Sequence, residues 1–226
     1  METTKKPVAL IVGGSSGLGL QLAMRLSSTH DVLITGRKNL GTAHAQFVEL
    51  SLTGPRPLCV ELDNLVYHLP HIDLCVYAAG ALENGSITDL HDSDMLASVQ
   101  LNMLAPAMLM QRIVQKQGGL ANLIVISSTA QWEPRMGAPL YTAGKAGLAM
   151  LTQSLSIDPR IKKTMLVAPA GMDTPFWKKT GRDTRDMLNP KWVATEIMRS
   201  FATDFRYKFI RVLLVPMRTD VVETRP

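Results

Sequence analysis

Cysteine is scarce in this chain of 226 residues, which has only Cys59 and Cys75. Two thiols in so long a chain build no disulfide framework. Cys75 lies inside an apolar strand-like run, where a thiol acts as a small buried hydrophobe. Long apolar runs are missing as well. No uninterrupted stretch approaches the roughly 18–20 residues that span a bilayer. Met1–Pro7 is polar and lacks the apolar core of a signal peptide. The expected compartment is therefore the cytoplasm, with no membrane partner. Metal-ligand spacing is absent too: His30, His44, His68, His71 and His91 fall in no register with Cys, Asp or Glu, so no metal site is expected. Nor is charge of one sign clustered. The formal net charge is +5, yet the only basic pairs are Lys5-Lys6, Arg37-Lys38, Lys162-Lys163 and Lys178-Lys179. Apart from Arg37 this reads as a solvated surface, and it argues against a nucleic-acid-binding face.

What the chain does have is ordinary globular composition, 46% apolar and 19% charged, with no repeat, low-complexity tract or linker. The length suits one large α/β domain over residues 1–226. Apolar strand-like runs recur at Val8–Val12, Val32–Thr35, Phe47–Leu50, Ile72–Ala78, Leu123–Ser127, Met165–Ala168 and Arg211–Val215. Continuous Val/Ile/Leu runs without alternation suit strands covered on both faces. Helical patterns between most of them imply right-handed crossovers. The expected fold is a Rossmann-like, doubly wound, mostly parallel sheet of seven strands with helices on both faces. Leu58, Leu62, Leu65, Val66 and Leu69 recur at helical spacing and predict a helix that stops at Pro70. Gly36 to Gln46 leaves little room for a helix, so the second crossover reads as truncated.

The first strand runs directly into Gly13-Gly14-Ser15-Ser16-Gly17-Leu18-Gly19, and a helical pattern from Leu20 to Leu26 follows. Strand, glycine turn and helix N-terminus together make an anion site, because backbone N–H groups and the helix dipole converge there. Glycine triplets alone are weak evidence; the flanking strand and helix give this one its meaning. At the end of the second strand stands Thr35-Gly36-Arg37-Lys38. An acidic residue there would favour NAD(H) by accepting from a ribose hydroxyl, whereas an arginine pairs with a 2′-phosphate. Gly36 with Arg37 therefore points to NADP(H) ahead of NAD(H), with Lys38 and Ser15 as secondary contacts.

Tyr141-Thr142-Ala143-Gly144-Lys145 opens a further apolar helical pattern. Residues four apart share a helix face, so a lysine ammonium can lie beneath the Tyr141 phenol. A cation so placed favours the phenolate and lowers an otherwise high pKa. Ser128 stands thirteen residues earlier, at the carboxyl edge of a strand, where α/β sheets bind ligands. Asn102 lies in the helical stretch Met95–Val114.

Asn102, Ser128, Tyr141 and Lys145, in this order and spacing behind the Gly13–Gly19 turn, resemble the short-chain dehydrogenase/reductase family over roughly Pro7 to Pro216. The resemblance implies a hydride-transferring oxidoreductase acting on a small-molecule carbonyl/alcohol pair. It makes Tyr141 the acid–base group and Ser128 the holder of the substrate oxygen. Lys145 would hold the nicotinamide ribose, and Asn102 a proton path from Lys145 to solvent. It further implies cofactor contacts from Gly13, Ser15, Ser16, Gly17, Leu18, Gly19, Arg37, Ser51, Leu52, Ala79, Gly80, Tyr141, Lys145, Pro169, Gly171, Met172 and Thr174. It also implies a homodimer or homotetramer built on the Met95–Val114 and Tyr141 helices. The chain departs from the family pattern at four places. Val12 stands for a threonine, Tyr77-Ala78 for two asparagines, Ala170 for a glycine and Ser51 for an aspartate. Those departures leave a second reading open, a catalytically weak nucleotide-sensing or scaffold protein on the same fold. Trp132, Met136, Leu140, Met172, Phe176 and Trp177 are candidates to wall a substrate pocket, and the polar stretch Thr174–Lys191 to cover it as a lid.

Overall fold

Branched apolar residues with few polar interruptions place the strands in the middle of the molecule. The computed structural model describes residues 5–39, 41 and 44–226. Strands are β1 (Val8–Val12), β2 (Asp31–Gly36), β3 (Gln46–Glu49), β4 (Leu74–Tyr77), β5 (Leu120–Ile126), β6 (Ile161–Pro169), β7 (Tyr207–Leu213) and β8 (Arg218–Arg225). Helices are α1 (Gly17–Leu26), α2 (Leu58–His68), α3 (Asp92–Val99), α4 (Ala105–Gln117), α5 (Pro139–Ser156) and α6 (Pro190–Phe201). One sheet contains all eight strands in the order β3-β2-β1-β4-β5-β6-β7-β8. The first seven run parallel, and β8 returns antiparallel against β7. This is the Rossmann-like architecture.

Alternation along the buried strands divides the core between the two faces. Val8, Leu10 and Val12 of β1 pack with Leu62, Leu109 and Leu148 from α2, α4 and α5. Ala9 and Ile11 pack with Leu22 of α1 and with Val193 and Ile197 of α6. Burying a Leu or Ile side chain contributes about 1.5–3 kcal/mol, so the two apolar layers fix the helices against the sheet. Strand order reverses between β1 and β4, and in open α/β sheets such a switch point places a crevice beyond the carboxyl ends of the strands.

Seven strands were expected and eight are present. The extra one, Arg-Thr-Asp-Val-Val-Glu-Thr-Arg, carries four charges and is largely exposed, so no apolar run announces it. It holds β7 by ladder hydrogen bonds, and its Thr219 hydroxyl donates to the buried Glu196 carboxylate of α6 at 2.9 Å. The seventh strand also begins earlier than its apolar run, at Tyr207 rather than Arg211. Helix α2 stops before Pro70 as its spacing predicts. Among the described residues between β2 and β3 there is no helix; Leu40, Thr42 and Ala43 of that connection, like Met1–Thr4 of the polar leader, lie outside them. The single helical stretch expected over Met95–Val114 is broken: a π-turn, Gln100–Leu104, separates α3 from α4. No described helix is long and apolar enough to cross a membrane.

Candidate active site

The glycine turn is shaped by close contacts at Gly13 and Gly19 and by positive φ at Gly13 and Gly17. Gly13 has φ +81°, and a Cβ built on it would lie 2.7 Å from the Ala79 backbone at the end of β4. Gly17 has φ +55° and opens α1, and a Cβ there would come within 3.4 Å of Thr174 Cβ. A Cβ on Gly19 would strike the Gly13 carbonyl oxygen. Thr35 secures the turn from β2. Its hydroxyl accepts from Gly13 N–H at 3.4 Å and its carbonyl from Gly14 N–H at 3.0 Å. Val12 itself has no hydroxyl to offer, and β1 and β2 pair it with Thr35.

Helix α1 begins with uncommitted donors. Ser16 sits at its N-cap in extended conformation without a side-chain capping bond, and the first turn holds no acidic residue. Leu18 turns into the core beside α1. Ser15 packs against Gly36 so closely that a Cβ on Gly36 would be 2.7 Å from Ser15 Cβ, which brings exposed Arg37 next to the glycine turn. Among the described residues Arg37 has no acidic partner. The turn therefore presents N–H groups, an unopposed helix dipole and a guanidinium on one side of the crevice.

Across the crevice, the first turn of α5 carries Tyr141 and the second carries Lys145. The Lys145 ammonium lies 5.8 Å from the centre of the Tyr141 ring and donates to Ile126 O at 3.2 Å. Ser128, which caps a short 3-10 turn after β5, accepts from Ala130 N–H at 3.2 Å and stands beside the Tyr141 phenol. Burial pushes the Tyr141 pKa up, and the Ser128 hydroxyl and the Arg135 charge oppose it only in part. The expected downward shift under Lys145 is therefore corrected. Desolvation dominates, and the cation that offsets it is Arg135. Lys145 is itself buried without a carboxylate, which lowers its pKa to about 8.

Asn102 sits in the π-turn, fully buried. Its side-chain amide donates to Ser98 O at 3.0 Å, while its Oδ1 has no hydrogen-bond partner among the described residues. Gly144 lets α5 press against this turn, since a Cβ there would lie 2.8 Å from Asn102 Cβ. At Gly80 a Cβ would come 3.3 Å from Lys145 Nζ and 3.9 Å from Asn102 Oδ1. Gly80 thus joins the two halves: Ala79 touches the glycine turn, and Gly80 faces Lys145 and Asn102.

The remaining predicted contacts lie on the loops at this edge. Pro169 ends β6 and is buried. Gly171 accepts from Leu188 N–H at 3.0 Å, and Met172 O accepts from the Trp177 indole at 3.0 Å and Thr174 Oγ1 at 3.4 Å. The stretch after Thr174 is anchored at Leu188 and contains a short 3-10 helix, Pro175–Thr180. Phe176 packs on Tyr141 with ring centres 5.7 Å apart, and Trp177 packs on Phe176 at 5.2 Å. Trp132 turns away to Phe209 of β7, at 6.0 Å. Ser51 stays within its own loop beside Gly54, and the Leu52 side chain enters the core, so neither is tied to the rest of the cluster by its side chain. Leu52 O accepts from the Gln100 side chain at 2.6 Å. Two supporting residues had no signal in the spacing: Thr35, and Ser127, whose hydroxyl donates to Lys145 O at 3.1 Å. Among the described residues no group of three or more His, Cys, Asp or Glu could hold a metal ion.

Glycine turn, helix N-terminus and tyrosine–lysine pair thus lie at one parallel-sheet switch point. The short chain dehydrogenase family model matches residues 7–185, and the chain belongs to that family of oxidoreductases. It is 26% identical to an uncharacterized oxidoreductase of Staphylococcus epidermidis over 216 residues, covering 88% of this chain and 92% of the relative. It is 24% identical to a 3-oxoacyl-[acyl-carrier-protein] reductase of Buchnera aphidicola, covering 77% and 76%. A solved short-chain dehydrogenase from Sphingobium yanoikuyae in complex with NADPH shares the fold at TM-score 0.78 and 21% identity, over 91% of this chain and 87% of that one.

Proposed function

We propose that this chain is an NADP(H)-dependent oxidoreductase that interconverts a carbonyl and its alcohol, with one domain carrying both cofactor and substrate sites. The observation that carries the reading is the convergence of Ser128, Tyr141, Lys145 and Asn102 on the edge where the glycine turn opens. The residues present fit a dinucleotide. Close contacts exclude side chains at Gly13 and Gly19, a positive φ disfavours one at Gly17, donors are free at α1, and Arg37 stands where a 2′-phosphate would need a cation. The NADPH complex of the Sphingobium relative is consistent with that preference. NADP(H), when bound, supplies or takes the hydride.

The chain's own groups handle the oxygen and the proton. Tyr141, held protonated by burial, donates its hydroxyl proton to the carbonyl oxygen as the oxygen gains charge. Ser128, beside the same phenol, orients that oxygen. Lys145, with its pKa near 8, is mostly an ammonium at neutral pH and replenishes the phenol, and the open acceptor of Asn102 lies beside it on the way out. Phe176 and Trp177 make the tyrosine side of the substrate pocket apolar and aromatic. Exposed Leu96, Leu104 and Met150 on α3 to α5 and the turn between them, with Ile157 just past α5, favour a homodimer or homotetramer; the compartment proposed is the cytoplasm.

The test is NADPH oxidation against a panel of ketones and aldehydes, with NADH in parallel. Turnover with NADPH ahead of NADH supports the reading. NADPH binding without turnover of any substrate would leave the nucleotide-sensing alternative standing instead.

A further inference from the structure

The π-turn that carries Asn102 has an unusual donor problem. Ala105 N–H reaches back five residues to Gln100 O. The next link in that series would run from residue 106 to Leu101 O, and residue 106 is Pro106, which has no N–H. Leu101 O would be left as a partly buried acceptor without a protein donor, at a cost that folded proteins avoid. Tyr77 removes that cost. Its phenol, at the end of β4 and 1% exposed, donates to Leu101 O at 2.6 Å.

We infer that Tyr77 is a positioning residue: its hydroxyl stands in for the proline-deleted donor and so fixes the turn that presents Asn102 to Lys145. The geometry supports this beyond the single bond. Tyr77 lies opposite Val12 and Val125 in the sheet, so its ring is held on both sides and its hydroxyl has one place to go. Leu101 and Asn102 are adjacent, so a shift of the Leu101 peptide moves the Asn102 side chain directly. Gly144 leaves α5 in contact with Asn102, so the shift reaches the helix that bears Tyr141 and Lys145. Single-turn π-bulges inside α-helices recur at functional sites in general. Here the bulge depends on one tyrosine and one proline. The tyrosine replaces an asparagine of the family pattern, so the device belongs to this chain's own residues.

The inference rests on the enzyme reading for its consequence, and the experiment separates the two. Tyr77→Phe, Pro106→Ala and the double variant are compared with the unaltered chain. Two measurements are made: kcat per bound NADPH together with KM, and hydrogen–deuterium exchange of Ser98–Ala105. Tyr77→Phe should lower kcat roughly tenfold, the size of effect one lost positioning bond can produce, with KM for NADPH unchanged. It should also speed exchange in the turn. Adding Pro106→Ala restores an N–H at the vacant step, so the double variant should recover both. Wild-type kcat and exchange in Tyr77→Phe would overturn the inference, as would a double variant no better than Tyr77→Phe. Should the unaltered chain show no turnover, the enzyme reading falls, and the exchange arm alone decides the role of Tyr77.

Discussion

Replacing Gly13 with alanine tests the cradle directly, because the chain contains its own control. Gly13 and Gly118 both have φ +81°, so a side chain is strained at both sites. Their surroundings differ. At Gly118, past the end of α4, a Cβ would meet nothing within 4 Å, whereas at Gly13 it would lie 2.7 Å from Ala79 Cα and N. Strain alone costs roughly 1–2 kcal/mol. A clash with backbone that cannot rotate away adds about 1–3 kcal/mol. For a chain of this size each kcal/mol moves Tm by about 2–4 °C, so Gly13→Ala should melt about 2–12 °C below Gly118→Ala. Calorimetry or circular dichroism on the two variants reads the difference. NADPH titration should show weakened binding in Gly13→Ala and none of it in Gly118→Ala. Equal melting temperatures would refute the reasoning, since the turn would then be free to lift off Ala79.

Three further outcomes follow from the same geometry. Arg37→Ala should raise KM for NADPH about tenfold or more while leaving NADH nearly untouched; equal loss for both cofactors would remove the 2′-phosphate role. Thr35→Val removes the acceptor for Gly13 N–H and should cost about 1 kcal/mol in urea unfolding, with weaker NADPH binding; unchanged binding would show that the Thr35 carbonyl bond to Gly14 suffices. Lys145 keeps its proton only to about pH 8 when folded, against 10.5 in the free side chain. Between those values the unfolded chain binds more protons, so this lysine makes stability rise with pH. Lys145→Met should flatten Tm against pH across that window, and an unchanged slope would mean that the buried ammonium titrates elsewhere.

The sheet was legible where burial on both faces forces apolar runs, as in Val8–Val12 and Leu120–Ile126, and illegible where it does not. In β8 the two central valines are exposed and the charges pair along the strand, Arg218 with Asp220 and Arg225 with Glu223. A strand held by ladder bonds and polar side-chain contacts leaves no hydrophobic period to read. At the site, the helical spacing of Tyr141 and Lys145 announced their proximity, yet the direction of the Tyr141 shift depended on burial that spacing does not encode. The π-turn was out of reach for another reason. Pro106 marks a missing donor, but only the tertiary position of Tyr77 shows where the replacement comes from. Thr35 is similar: its role exists only through the register of β1 against β2.

The most direct trial of the account is a pair of measurements on Tyr141→Phe, NADPH affinity and the rate of carbonyl reduction. With the proton donor gone and the cradle intact, binding should match the unaltered chain while turnover drops by about 10²–10⁴-fold. Undiminished reduction by a phenylalanine at this position would contradict the assignment of proton transfer to that hydroxyl.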